Sequence, residues 1–308
     1  MNIVLLDALT FGETNLNAFD NLGDVKVYKT TSPQQVQERI TDADVIVTNK
    51  VVITDAHMKD ALSLKLICVA ATGMNNIDLA SAKNRNIKVK NVAGYSTASV
   101  IQHTFSMLFY LLGSSRYYDE YVKNEDYSKS PIFTNVSKSF FEIKNKKWGI
   151  IGLGNIGQGV ASIASAFGAE VLYYSTSGKN NSQPYKRVEL DALLKTCDII
   201  SIHAPLNEQT NNLLDYEQLL ICKDGAVVLN LGRGGIVNED AIVKIIDERN
   251  ISFALDVLSK EPMSKNHKLL SVKNKENLYI TPHIAWASIE ARATLIASIV
   301  QNIEEENL

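Results

Sequence analysis

The sequence predicts a doubly wound α/β protein with two domains, each built on a parallel sheet with helices on both faces. Three observations carry this prediction. The chain has 308 residues, which is long enough for two ordinary domains. Short apolar runs alternate with segments of helical spacing along nearly its whole length, as in parallel sheets whose strands are joined by helices. A glycine-rich turn, GLGNIG at residues 152–157, joins a strand to a helix in the second half of the chain.

The first domain is predicted to span residues 1–96. Its apolar runs predict strands at residues 2–8, 25–30, 45–48, 65–71 and 88–92. Its segments of helical spacing predict helices at residues 33–40, 54–62 and 78–85. A last helix is predicted over the C-terminal segment 287–308, and it is expected to return to this domain and complete it.

The second domain is predicted to span residues 97–286. Ser96 and Thr97 are favoured helix caps, so a long helix is expected over residues 97–112, and the sequence allows another near 115–123. Apolar runs then predict strands at residues 148–151, 171–174, 198–202, 226–230, 253–257 and 278–280. Ligands of such sheets bind beyond the carboxyl ends of the strands, so the active site is expected in a cleft between the two domains.

The GLGNIG turn has the spacing of a dinucleotide fingerprint. Gly152 would permit the tight turn, Gly154 would let the backbone approach a pyrophosphate, and Gly157 would let helix and strand pack closely. The helix N-terminus would supply N–H groups and a partial positive charge for the phosphates. A tight turn with a purely structural role is the alternative, but the strand–turn–helix context favours a bound dinucleotide.

The composition excludes several classes of function. The net charge of −3 leaves no basic surface for nucleic acid or an anionic membrane, and no apolar run is long enough to span a bilayer. The N-terminus lacks the basic start of a signal peptide. The three cysteines are unpatterned and lie in apolar stretches, which predicts buried thiols in a reducing, cytoplasmic environment; a catalytic cysteine is the alternative. No metal site is expected.

Three stretches that follow predicted strands carry the residues best suited to chemistry. They are residues 230–235 with Arg233, 256–262 with Glu261 and 281–286 with His283. An arginine can clamp a carboxylate or ketone oxygen, and a carboxylate beside a histidine fixes its tautomer and favours its charged form. Each has an alternative: a solvated arginine, a surface carboxylate and a histidine that caps a turn. His103 is interpreted as structural, and His203 is expected near the cofactor without an evident partner.

The chain resembles the D-isomer-specific 2-hydroxyacid dehydrogenase family over nearly its whole length. The markers are ATGMNNIDL (71–79), NVAGYSTASVIQHT (91–104), GLGNIG, residues 230–235, Glu261-Pro262 and TPHIAW (281–286). Three of them, TGMNNIDL, NVAGYST and TPHIAW, are most similar to the glycerate dehydrogenase and hydroxypyruvate reductase branch. The resemblance implies a flavodoxin-like substrate domain and a Rossmann cofactor domain. It also implies a homodimer, because residues 113–147 of relatives often pack against a second subunit.

The resemblance further implies hydride transfer between NAD(P)H and a small 2-oxoacid such as hydroxypyruvate or glyoxylate, or a D-2-hydroxyacid such as D-glycerate. Arg233 would bind the substrate oxygens, His283 would be the acid/base, and Glu261 would pair with His283. Backbone N–H groups near Thr72, Gly73 and Met74 would hold the substrate carboxylate. The implied cofactor contacts are Gly152, Gly154, Asn155, Ile156, Gly157, Ser175, Pro205, Leu231, Gly232 and Asp256. The alternative is a dinucleotide-sensing corepressor on the same fold.

The residue that closes the second strand of the fingerprint unit usually separates NAD from NADP. An acidic residue there binds the ribose hydroxyls and repels a 2′-phosphate. Here the position holds Ser175, with Thr176 and Ser177 after it and Lys179 close by. The sequence therefore departs from the NAD-preferring pattern and favours NADP, with NAD left open.

Overall fold

The computed structural model describes residues 1–179 and 184–306, and the chain divides into two compact units. The first unit consists of Met1–Ser96 together with Ala287–Leu308, and the second of Thr97–Trp286. Each unit contains one sheet whose strands are all parallel.

The sheet of the first unit has five strands in the order β2-β1-β3-β4-β5. They are β1 (Asn2–Leu5), β2 (Asp24–Val27), β3 (Val45–Thr48), β4 (Leu66–Val69) and β5 (Lys88–Asn91). All residues of β3 and β4 are buried, as expected for apolar central strands covered on both faces. This strand order is the flavodoxin-like doubly wound order that the resemblance implies.

Among its described residues the first unit has four helices: α1 (Val36–Ile40), α2 (Asp55–Asp60), α3 (Leu79–Asn84) and α10 (Ile289–Glu304). The C-terminal helix α10 begins after Ser288, whose Oγ accepts a hydrogen bond from the Ala291 N–H at 3.1 Å. Its buried positions recur at helical spacing, and it packs against β4. The chain thus returns to the first sheet after it leaves the second unit.

The sheet of the second unit has seven strands in the order β12-β11-β10-β9-β6-β7-β8. They are β6 (Lys147–Ile151), β7 (Glu170–Tyr174), β8 (Lys186–Arg187), β9 (Ile199–Ile202), β10 (Val227–Asn230), β11 (Ser252–Leu255) and β12 (Leu278–Ile280). The direction of strand addition reverses between β6 and β9, as in a dinucleotide-binding Rossmann sheet. The turn that leaves β6 at this point is GLGNIG.

In the described part of the second unit there are six helices: α4 (Thr97–Leu112), α5 (Ser115–Lys123), α6 (Asn155–Ala166), α7 (Leu190–Thr196), α8 (Tyr216–Leu220) and α9 (Glu239–Glu248). One core contains residues of α4 and α6, and the core on the other face contains residues of α7, α8 and α9. Both faces are therefore covered, which confirms the predicted doubly wound architecture. In the described part of the chain, no helix is long and apolar enough to cross a membrane.

Several predicted elements end earlier than expected. The strands predicted at 2–8 and 65–71 stop at Leu5 and Val69, and the chain after β1 forms a 3₁₀ turn at Ala8–Phe11. The helix predicted from residue 33 begins as a 3₁₀ turn at Pro33–Gln35 and continues as α1. The sequence analysis did not predict the two-residue strand β8 or the short helix α8.

Candidate active site

The turn after β6 has the backbone geometry that its glycines allow. Gly152 has a φ of +91°, in the left-handed region, and a Cβ there would lie 2.8 Å from the backbone nitrogen of Ala204. A Cβ on Gly157 would overlap the carbonyl oxygen of Gly152. Only glycine fits at either position, because one needs the conformation and both need the close approach. The turn and the start of α6 therefore pack closely against the sheet.

The start of helix α6 offers open backbone and helix N–H groups that suit the phosphates of a dinucleotide. A Cβ on Gly154, the N-cap of α6, would meet no atom within 4 Å, so the backbone is open there. Asn155 and Ile156 begin α6, where the first N–H groups of a helix have no intrahelical partner. Among the described residues, few buried side-chain atoms lack a hydrogen-bond partner, and these include Ser175 Oγ and both ring nitrogens of His203. Both residues directly follow strands, β7 and β9, beside β6.

The chain after β9 and β10 closes tightly around this edge of the sheet. Gly232 N–H donates to Asn230 Oδ1 at 3.1 Å, and a Cβ on Gly232 would lie 2.8 Å from the carbonyl oxygen of Ala204. Leu231 is buried, and the carbonyl of Pro205 accepts a hydrogen bond from Thr210 Oγ1 at 2.7 Å. These residues occupy the same carboxyl edge as the glycine turn, and their contacts with a cofactor stay a prediction.

Arg233 lies on a turn after β10 that is stabilised by internal hydrogen bonds. Asn230 Nδ2 donates to the carbonyl of Arg233 at 2.9 Å, and the arginine's own Nη1 donates to the carbonyl of Gly232 at 2.8 Å. A Cβ on Gly234 would overlap the backbone of Leu258, so the turn touches the segment that leads to Glu261. The guanidinium is exposed and donates to the backbone of its own turn through Nη1, while the contact with Asn230 holds the backbone carbonyl of Arg233.

Glu261 and His283 form a direct pair. His283 Nδ1 and Glu261 Oε2 are 2.6 Å apart, and Glu261 Oε1 accepts from the Leu258 N–H at 2.9 Å. A carboxylate can only accept, so the hydrogen of this bond lies on Nδ1 of His283. Nε2 is then the ring atom that can give or take a proton. Glu261 follows β11 and His283 follows β12, so Arg233, Glu261 and His283 come from three neighbouring strands at one carboxyl edge.

The loop that carries His283 is held by Asp256. The carboxylate of Asp256 is 1% exposed and accepts hydrogen bonds from Thr281 Oγ1 at 2.6 Å and from the Ile284 and Ala285 N–H groups, each at 2.9 Å. Its backbone carbonyl accepts from the His283 N–H at 2.9 Å. The resemblance implies a cofactor contact for Asp256, and that contact stays a prediction; in the structure its carboxylate binds the His283 loop.

The loop predicted to bind the substrate carboxylate follows β4 in the first unit. Asn91 Nδ2 donates to the carbonyl of Thr72 at 2.6 Å, and Thr72 Oγ1 donates to the carbonyl of Val92 at 3.3 Å. The carbonyl of Met74 accepts from the Ile77 N–H at 3.0 Å. Gly73, between them, has no side chain. The loop is therefore ordered by its own unit, and its role toward the substrate stays a prediction.

A family model for the NAD-binding domain of D-isomer-specific 2-hydroxyacid dehydrogenases matches residues 105–285, more than half of the chain. The chain belongs to this family. As a member it is an oxidoreductase that uses a nicotinamide dinucleotide, and the glycine turn, Arg233, Glu261 and His283 all lie within the matched range. The family assignment confirms the resemblance drawn from the motifs.

Relatives extend the match beyond the cofactor domain of this dehydrogenase. A hydroxypyruvate reductase of Blautia hydrogenotrophica is 34% identical over 314 residues, which cover 99% of this chain and 96% of that protein. A glycerate dehydrogenase of Methylorubrum extorquens is 33% identical over 304 residues, covering 98% and 95% of the two chains. Both names are enzymatic activities, and nothing observed supports the corepressor alternative.

Solved structures superpose on the whole dehydrogenase chain. An acyclic imino acid reductase in complex with NADPH and D-arginine has a TM-score of 0.85 at 28% identity and covers 100% of this chain and 97% of its own. A D-lactate dehydrogenase from Aquifex aeolicus, complexed with NAD and lactic acid, has a TM-score of 0.85 at 25% identity, covering 100% and 95%. One neighbour holds NADPH and the other NAD, so this comparison leaves the choice of cofactor open.

The structure adds a residue that the sequence analysis of this dehydrogenase missed. Arg187 lies on β8, paired with Tyr173 of β7, and its Nη1 donates to the carbonyl of Gly178 at 3.4 Å. Gly178 closes a turn in which its N–H donates to the carbonyl of Ser175 at 3.2 Å. The arginine thus lies across the turn that follows β7. No sequence signal marked it, because β8 contains only two charged residues and shows no apolar pattern.

The cysteines of the dehydrogenase are buried free thiols, as the sequence predicts. Burial raises the pKa of Cys68, Cys197 and Cys222 to about 12. A thiol with so high a pKa supplies little thiolate at neutral pH, which disfavours the alternative of a catalytic cysteine.

Proposed function

We propose that this dehydrogenase reduces small 2-oxoacids, such as hydroxypyruvate and glyoxylate, to the D-2-hydroxyacids and catalyses the reverse oxidation, with D-glycerate as a substrate. The observation that carries the proposal is the 2.6 Å contact between His283 and Glu261 at the sheet edge where Arg233 also lies. An acid/base histidine, its carboxylate partner and a cation for an anionic carbonyl compound meet the needs of this reaction. Relatives named for hydroxypyruvate reduction and glycerate oxidation support this substrate class.

Arg233 is the proposed substrate clamp. Its planar guanidinium matches a carboxylate or the paired oxygens of a 2-oxoacid, and its positive charge stabilises the negative charge that develops on the carbonyl oxygen during reduction. The backbone N–H groups of Thr72, Gly73 and Met74 are proposed to bind the substrate carboxylate. When bound, the nicotinamide supplies the hydride for reduction and accepts it in oxidation.

His283 is the proposed proton donor in reduction and proton acceptor in oxidation. Because Nδ1 donates to Glu261, the proton that moves is the one on Nε2. In reduction this proton passes to the oxygen on C2 of the substrate, which becomes the hydroxyl group. Glu261 keeps the ring in one orientation and stabilises the imidazolium form. Reduction therefore requires protonated His283, and oxidation requires the neutral ring.

A steady-state comparison tests this proposal. We expect measurable kcat/KM for hydroxypyruvate and glyoxylate in reduction and for D-glycerate in oxidation, with activity in at least one of NADPH and NADH. Absence of turnover with all of these substrates and both dinucleotides would refute the proposed function.

We propose that NADPH is the preferred cofactor. The position that carries an acid in NAD-specific sites holds Ser175, whose buried Oγ lacks a protein partner in the described structure. Lys179 and Arg187 flank the same turn, and residues 174–179 contain no carboxylate. Two cations and several hydroxyl groups fit a 2′-phosphate better than a free ribose hydroxyl.

We also propose a homodimer in the cytoplasm. Several side chains of the 113–147 segment expose large apolar surface, among them Phe133 at 89%, Val136 at 78% and Phe140 at 69% exposed. Such a concentration of exposed apolar groups marks an interaction surface, and a second copy of the chain is the proposed partner. Light scattering would show a mass near twice 34.0 kDa, and a monomer at micromolar concentration would overturn this point. The three buried thiols are consistent with a reducing compartment.

A further inference from the structure

A chain of hydrogen bonds links helix α4 to the loop that carries His283. His103 of α4 places its Nε2 3.2 Å from Thr281 Oγ1, and the same oxygen lies 2.6 Å from Asp256 Oδ1. Ser99, one turn earlier on α4, donates from its Oγ to the carbonyl of Ala285 at 2.6 Å. Helix α4 therefore contacts the His283 loop through two polar side chains, and His103 reaches it through Thr281.

The chemistry of these groups fixes the direction of each bond. Asp256 is a carboxylate and can only accept, so the single hydrogen of the Thr281 hydroxyl points to Asp256. The Thr281 oxygen must then accept from His103, which places a hydrogen on Nε2 of that ring. The alternative partner of the hydroxyl is the Sδ of Met107 at 3.9 Å, a longer contact with a weaker acceptor.

The loop needs this support because its backbone is strained. His283 has a φ of +55°, in the left-handed region that a residue with a Cβ adopts only at a cost. Asp256 imposes the conformation by accepting from Thr281, from the Ile284 and Ala285 N–H groups and, through its carbonyl, from His283. A carboxylate that rotated away from these donors would release the loop.

We propose that His103 is a positioning residue for His283: by donating to Thr281 it keeps the threonine hydroxyl on Asp256, and thereby keeps the loop in the conformation that pairs His283 with Glu261. The sequence alone favours a structural role for His103 within the long helix α4. This inference rests on the proposed acid/base role of His283, and it adds a second histidine that acts without touching the substrate.

His103 is suited to this role because it stays neutral. Burial lowers its pKa, and the nearby charge of Asp256 opposes this shift in part. Among the described residues, Asp256 is the charged group that faces the ring, and its Oδ1 is 3.7 Å from Nε2. On β12, burial raises the pKa of Tyr279, with smaller contributions from Tyr110 and Asp256, so that phenol remains uncharged at neutral pH. His103 is therefore neutral at neutral pH and can donate from Nε2.

Two substitutions at His103 separate positioning from simple packing. His103→Gln keeps an amide donor close to the place of Nε2, whereas His103→Leu removes the donor and fills similar volume. For the leucine variant we expect the reductive kcat to fall about 10- to 100-fold, because small misplacements of a catalytic group have effects of this size. The alkaline limb of its pH profile, the fall in reductive kcat as the pH rises, should also move to lower pH. The dissociation constant of the dinucleotide should change by less than about threefold. The glutamine variant should keep most of the wild-type kcat, and the alkaline limb of its pH profile should lie at the wild-type pH.

Thr281→Val supplies the second arm of the test, since it removes the hydroxyl that connects His103 to Asp256. If the two residues act through one chain, the His103→Leu, Thr281→Val double variant should be no more impaired than the worse single variant. Phe105→Leu is the matched control: Phe105 is buried on the same helix, and it should lower the melting temperature without moving the pH limb.

The tautomer of His103 provides a readout that does not depend on activity. In ¹⁵N spectra of the imidazole nitrogens, we expect the wild-type ring to carry its hydrogen on Nε2 at neutral pH. A hydrogen on Nδ1, a wild-type kcat and pH limb in His103→Leu, or equal losses in the leucine and glutamine variants would each overturn the proposal. If the wild-type enzyme turned over no 2-oxoacid, the proposed function would fail, and the tautomer would still decide the His103–Thr281 bond.

Discussion

Replacing Glu261 by glutamine tests the acid/base pair most sharply. The Nδ1–Oε2 distance of 2.6 Å makes this contact a charge-assisted hydrogen bond, a class that contributes about 1.5–3 kcal/mol. The side chains of His283 and Glu261 are 25% and 33% exposed, so solvent screens the pair and the lower end of the range applies. Because about 1.4 kcal/mol corresponds to a factor of ten in rate, replacing Glu261 by glutamine should lower kcat/KM about tenfold.

The effect follows from what glutamine keeps and what it removes. It keeps a hydrogen-bonding group beside the ring but no longer stabilises the imidazolium form. Since the proton moves between His283 and the substrate in both directions, kcat/KM for reduction and for oxidation should fall together. The assay is kcat/KM in both directions at neutral pH, with His283→Ala as the control that removes most of the activity. An unchanged kcat/KM in the glutamine variant would refute the pairing, even if both residues contact the substrate.

Three further substitutions have defined outcomes. Arg233→Ala should lower kcat/KM for 2-oxoacid reduction by an amount equivalent to roughly 2–5 kcal/mol, while the affinity for the dinucleotide stays nearly intact. Lysine at this position should restore only part of the activity. Turnover near the wild-type rate in the alanine variant would contradict the proposed binding of the substrate by Arg233. Ser175→Asp should shift the ratio of kcat/KM for NADPH and NADH toward NADH by weakening NADPH binding, and an unchanged ratio would place discrimination elsewhere. Burial lowers the pKa of His203 to about 3, so the folded chain keeps this ring neutral while the unfolded chain protonates it below about pH 6.5. Stability should therefore fall as pH decreases from about 6.5 toward 3, by up to about 1.4 kcal/mol per pH unit, and urea unfolding of His203→Gln should show a shallower slope; parallel slopes would argue against a neutral buried ring.

Long periodic elements could be predicted from the sequence. The helix expected over 97–112 has those bounds as α4, because capping residues precede it and apolar residues recur at helical spacing. Shorter elements could not be predicted from the sequence. The strand β8 has two charged residues and forms only because it pairs with β7, and that pairing has no local signal. The strand predicted at 2–8 was too long, because the apolar run continues into a 3₁₀ turn after the ladder ends.

The candidate site divides in the same way. Arg233, Glu261 and His283 were found because parallel strands bring their carboxyl ends to one edge, so a residue just after a strand has a known place. The role inferred for His103 was missed because its partner Thr281 is 178 positions away in the sequence. Arg187 was missed for a similar reason, since its contact with Gly178 depends on the pairing of β8 with β7.

The most direct test of the central claim is the stoichiometry and configuration of the product. Hydroxypyruvate is incubated with the enzyme and with NADPH or NADH, and the glycerate formed is resolved on a chiral column while dinucleotide oxidation is followed by absorbance. The account predicts one equivalent of D-glycerate for each dinucleotide oxidised, and loss of most of this activity in His283→Ala. Formation of L-glycerate, or an undiminished rate in the His283→Ala variant, would contradict it.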